Sequence, residues 1–104
     1  LNITILNASP HSDSAQRLAA LLDRQQKSTI EKQIGMKLKI VNISSVREQT
    51  ILPKTKIYFH ANLMREALIL AQILPGEQVI EPMPESRISK LATDVEIYVG
   101  KNFE

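Results

Sequence analysis

Twice along this chain a short run of alternating apolar residues gives way to an apolar-striped helical pattern, and that repetition limits the fold more than any other feature. Ile3 and Ile5 alternate with Asn2 and Thr4 before Asn7-Ala8-Ser9-Pro10 interrupts them. Ala15, Leu18, Ala19 and Leu22 then recur at helical spacing. In the second half, Ile57 and Phe59 alternate with Lys56 and Tyr58. Leu63, Ala67, Leu70, Ala71 and Leu74 supply the helical stripe. Period two points side chains to opposite faces of a strand, and period 3.6 gathers them on one side of a helix. Two strand-turn-helix halves in succession imply an α+β domain with a sheet on one side and helices on the other.

Strands are predicted over residues 2–7, 37–43, 55–60 and 94–100, with a short additional strand over 78–81. A first helix is expected from Ser9 or Ser12, either of which can cap it, to a stop at Gly35, with an i,i+4 pair between Asp23 and Lys27. The polar tract 25–29 allows a break within it. Asn62 is the expected cap of the second helix. Ser86 is the expected cap of one further turn ending at Leu91, after Pro82 and Pro84 interrupt regular structure. The order β-α-β-β-α-(β)-β favours a two-layer βαββαβ sandwich: a mixed sheet of four to five strands under two helices on one face, ferredoxin-like or a close variant.

With 104 residues the chain has material for one domain, 1–104. It opens on Leu1 directly into strand-like sequence, so we expect a piece excised from a larger protein. No stretch approaches the roughly 18 apolar residues of a membrane span. The formal charge of +2 is too small to imply nucleic-acid or membrane affinity, and without cysteine there is no disulfide, thiolate metal site or cysteine nucleophile.

These residues resemble the C-terminal domain of LytR-type bacterial envelope proteins, the module that follows the catalytic LytR-CpsA-Psr domain. The likeness rests on Ile3-x-Ile5-Leu6-Asn7 with Ala15-x-x-Leu18-Ala19-x-x-Leu22, on Ile40-Val41-Asn42, and on Ile57-Tyr58-Phe59 before an alanine-rich helix. A closing Asp94-Val95-x-Ile97-x-Val99-Gly100 completes it. The family's strand usually ends in an Asn-Gly step with a second glycine before the helix. Here Ala8 stands in that tract, so a turn of different shape is expected. The resemblance implies an extracytoplasmic setting, a parent protein that is membrane-anchored in some architectures, and a non-catalytic accessory role, because glycopolymer transfer belongs to another domain.

Candidate chemistry is sparse. His11, Ser12 and Asp13 have the residue types of a hydrolytic triad, but consecutive side chains diverge and suit helix capping instead. His11 and His60 both follow strands, which would bring them to one edge of the sheet, without the carboxylates a metal site needs. The Ser9–Ser14 tract lacks the glycines and lysine of a nucleotide loop. No nucleophile-base pair and no cofactor site emerge, so an enzyme is not expected.

The remaining constellation is the sheet face away from the helices. Alternation assigns Thr4, Lys37, Lys39, Lys56, Tyr58, Glu96 and Tyr98 to it, with Leu6, Val41 and Ile43 on the same side. Tyr58 and Tyr98 with Lys37, Lys39 and Lys56 form the expected binding face, suited to stacking sugar rings and holding anionic groups. The same pattern also describes an ordinary solvated sheet face with amphipathic tyrosines. The expected partner is cell-wall glycan or an envelope protein. A small-molecule-binding regulatory domain acting as a dimer is the alternative. Single-stranded nucleic acid is disfavoured, because lysines are few and the glycine-aromatic signature of such sheets is missing.

Overall fold

A computed structural model describes residues 1–11, 13–25, 27–45, 51–74, 78–83 and 94–101. The strands are β1 (Asn2–Asn7), β2 (Lys39–Ser45), β3 (Thr55–Phe59), β4 (Gln78–Pro82) and β5 (Val95–Val99). The helices are α1 (Ser14–Ala20), α2 (Lys27–Ile34) and α3 (Met64–Ile73). A π turn over Leu21–Gln25 follows α1, and a 3-10 turn over Ala61–Leu63 precedes α3. The domain is thus α+β with a mixed five-stranded sheet. The first helical segment is divided, as the break allowed for it permits: the chain widens into a π turn over Leu21–Gln25, just before most of the polar tract, and α2 follows from Lys27.

The strand order is β2-β1-β5-β3-β4. β1 is parallel to β2 and to β5, β3 is parallel to β4, and β5 meets β3 antiparallel. Each half is therefore a βαβ unit whose two strands are immediate neighbours, joined by helical connections as parallel pairing requires. β5 fills the gap between the halves. This differs from the split, ferredoxin-like order expected from the sequence, in which another strand separates the two strands of each unit. The strand over 78–82 makes the difference: it gives β3 a parallel partner and leaves the last strand to bridge the halves.

α1 packs on β1, β2 and β5, and α3 on β3 and β4. Leu18, Leu22, Ile30, Ala67 and Leu70 reach zero exposure, as do Ile3, Ile5, Ile57, Val95, Ile97 and Val99 from the sheet. Register aligns one isoleucine from every strand: Ile43, Ile5, Ile97, Ile57 and Ile80 form a single row. Ile43 belongs to this row because β2 carries a bulge between the partners of Ile3 and Thr4, where Val41 is the extra residue. A one-residue insertion turns the following side chains to the other face. Ile43, expected beside Leu6, therefore stands on the helix side.

Local chemistry sets the element ends. Gly35 takes φ 83° and its N–H donates to the Glu31 carbonyl (2.9 Å), closing α2 as expected. The Glu31 side chain accepts the Leu38 N–H (2.7 Å) and ties the helix end to β2. The Asp23–Lys27 pair forms at 3.7 Å. Arg65 of α3 donates to the carbonyls of Gln33 (2.9 Å) and Ile34 (3.4 Å), satisfying the end of α2.

The expected helix starts need correction. α1 begins at Ser14, later than a Ser9 cap would place it, and α3 begins at Met64, after a 3-10 turn that contains Asn62. Neither Asp13 nor Leu63, at the two N-cap positions, makes a side-chain cap bond. Ser9 builds the β1–α1 turn instead. Its N–H donates to Asn7 Oδ1 (2.9 Å), the Asn7 amide donates to the His11 carbonyl (2.8 Å), and the His11 N–H donates to Ser9 Oγ (3.0 Å). Side-chain bonds thereby shape a turn that carries no glycine. The alternative cap Ser12 and the turn expected over 86–91 lie outside the described residues.

Behind β5, Gly100 allows two backbone segments to touch. A methyl group on it would lie 2.3 Å from the Lys54 carbonyl carbon and 2.6 Å from the Thr55 nitrogen. Its N–H donates to Thr55 Oγ1 (3.1 Å), and the Lys101 N–H donates to the Leu52 carbonyl (2.7 Å). Gly100→Ala should cost about 3 kcal/mol by forcing backbone apart. Urea unfolding of the variant beside the parent chain checks this, and an unchanged midpoint would refute the close contact.

Candidate functional site

The face of the sheet opposite α1 and α3 is organised as two rows. Asn42, Thr4, Glu96, Tyr58 and Glu81 form one, and Ser44, Leu6, Tyr98, Lys56 and Val79 the next. Tyr58 and Tyr98 occupy diagonal positions on β3 and β5. Their ring centroids are 5.4 Å apart with planes at 78°, an edge-to-face arrangement. Both are half-buried. With the planes nearly perpendicular, a flat ligand can stack on one ring while the other walls its side.

Lys56 is the direct cross-strand partner of Tyr98 and completes a compact cluster with the tyrosines. Lys37 and Lys39 do not join it. Lys37 precedes β2, and its carbonyl accepts from the Leu1 nitrogen (2.6 Å). Lys39 pairs with Asn2 at the far corner of the sheet. Three strand spacings, about 14 Å, and four residues along the strand, about 13 Å, separate it from Lys56. The expected tri-lysine surface is therefore divided by topology, since period two fixes a side chain's face but not which strands are neighbours.

The charge around the tyrosines differs accordingly. Glu96 and Glu81 are the register partners of Tyr58 on either side, so two carboxylates and one ammonium surround the rings. Glu96 is 3% exposed and Thr4 6%, so the centre of this face is not the open, solvated surface that alternation alone suggests. With Glu96 and Thr4 buried, the groups this face leaves partly exposed to a polyol are Tyr58, Tyr98, Lys56 and Glu81, and the two carboxylates beside Tyr58 make it a poor cradle for an anion.

The histidines separate as well. His60 follows β3, and its N–H donates to the Asp94 carbonyl (3.3 Å). Asp94 in turn binds the Asn2 backbone through its own N–H (2.9 Å) and through Oδ2 (2.8 Å). His11 follows the opposite end of β1. Because β1 and β3 run in opposite directions, the length of β1, about 17 Å, stands between the two junctions. They do not share a sheet edge, and no cluster of metal-ligating side chains occurs among the described residues.

One feature of this half was not anticipated: a cleft of about 580 Å³ between the α1 layer and the edge strand β2, lined in part by Ala19, Ala20, Arg24, Lys39, Ile40 and Ile43. Among the described residues no helix is long and apolar enough to cross a membrane. Compared with known proteins, the chain matches no family model, no curated protein and no solved structure.

The edge-to-face pair has a measurable energy. A double-mutant cycle with Tyr58→Ala and Tyr98→Ala, read by urea unfolding, should return a coupling of about 0.5–1.5 kcal/mol. Additive single effects would show that the rings do not support one another.

Proposed function

We propose that this chain is a non-catalytic accessory module of a bacterial cell-envelope protein, a LytR C-terminal-like domain that binds cell-wall glycan or a protein partner outside the cytoplasm. The observation that carries the reading is the cluster of Tyr58, Tyr98 and Lys56 on the sheet face away from the helices, with Glu81 and Glu96 beside it. One tyrosine ring presents an apolar platform for a sugar ring, and the second ring and flanking polar groups limit its orientation. The carboxylates favour a neutral, hydroxyl-rich glycan over an anionic one. The compact α+β architecture is consistent with a ligand-positioning module, and the envelope context rests on the resemblance in sequence.

The test is retention of the purified chain on isolated peptidoglycan. Tyr58→Ala combined with Tyr98→Ala should abolish retention, Lys37→Ala combined with Lys39→Ala should leave it intact, and added salt should change it little because the contact is not led by net charge. Retention that survives loss of both tyrosines would overturn the assignment of the face. Absence of retention in the parent chain would remove glycan as the ligand.

A further inference from the structure

We propose that the cleft beside β2 receives an extended acidic peptide segment that adds to the sheet as a sixth strand. β2 is the terminal strand of the sheet, with no strand on its outer side among the described residues. Edge strands are commonly guarded by lysine and bulges, and β2 has both, Lys39 at its start and the bulge at Val41. Past the bulge, however, residues 42–45 run in regular register with Thr4 to Asn7. An incoming strand has a straight edge there to pair with.

The bulge has a second consequence. It turns Ile43 onto the helix side, where Ile43 and Ile40 of β2 and Ala19 and Ala20 of α1 give the cleft an apolar floor. Ile43 is 39% exposed, which is unusual for a member of the central isoleucine row and leaves apolar surface to be covered. Strand addition uses main-chain bonds for affinity and side-chain pockets at alternate residues for selection. An edge bordered by a cleft of about 580 Å³ supplies both.

Charge selects the occupant. Asp23 and Lys27 pair with one another across the π turn at 3.7 Å. Arg24 and Lys39 line the same cleft, are exposed, and have no ion-pair partner among the described residues. Two unmatched cations beside an apolar floor fit a segment with apolar residues at its centre and acidic residues at its ends. This surface is separate from the tyrosine cluster and does not depend on its role.

The test is titration of the whole chain, followed by backbone amide NMR, with an acetylated and amidated peptide. The peptide has a Val-Thr-Val-Thr-Val centre and a Glu-Glu pair at each end. Shifts should concentrate on β2 and on the α1–π turn segment, and Arg24→Glu should weaken binding about tenfold. Tyr58→Ala with Tyr98→Ala should leave it unchanged, which separates this site from the proposed glycan face. A peptide N-methylated at alternate residues, or ended by Lys-Lys pairs, should lose most of the affinity. No shifts at millimolar peptide, equal binding of the N-methylated peptide, or indifference to Arg24→Glu would overturn the proposal. Concentration-dependent self-association abolished by Ile43→Lys would also overturn it, assigning the edge to a second copy of the chain.

Discussion

Five isoleucines, one from each strand, form a single row across the sheet, and the packing of the helices depends on its three central members staying dry. Ile5, Ile97 and Ile57 at its centre are fully buried beneath the helices. Each such side chain contributes about 1.5–3 kcal/mol through removal from water. The row crosses from one βαβ half to the other through β5, so neither half completes its core without the last strand. Gly100 just beyond β5 and the Asp94 bonds just before it fasten the strand at both ends.

The same geometry decides what the opposite face can be. Residues one step out of phase with the isoleucines form the rows containing Tyr58, Glu96 and Tyr98. The insertion of β5 brings the two tyrosines within edge-to-face contact. It also sets Glu96 beside Tyr58, across from Glu81 of β4, and leaves Lys39 at the distant edge. An acidic, aromatic centre and a basic, cleft-bordered edge are thereby set apart on one small domain. The proposed glycan contact and the proposed peptide contact draw on those two chemistries separately.

The bulge in β2 links core and surface. If Val41 paired with Thr4 in regular register instead of bulging out, Ile43 would fall on the tyrosine side and the isoleucine row would end at Ile5. With the bulge, the edge strand contributes to the core row while keeping Ile43 partly exposed in the cleft.

Much of this was legible in the order of residues. Alternation at Ile3, Ile5, Ile57, Phe59, Val95, Ile97 and Val99 identified the buried sheet face, because a strand's side-chain period is a property of the backbone alone. Helical spacing identified Leu18, Leu22, Ala67 and Leu70 for the same kind of reason, and Gly35 marked its helix end through the positive φ that glycine accepts most cheaply. Sequence periodicity could not say which strands are neighbours, since pairing is a long-range choice set by how the two halves share one core. That choice, made by β5 between β1 and β3, brought Tyr58 to Tyr98 and Glu96 and separated the lysines and the histidines. The local register of side chains came from the chain itself; the composition of each surface came only from tertiary pairing.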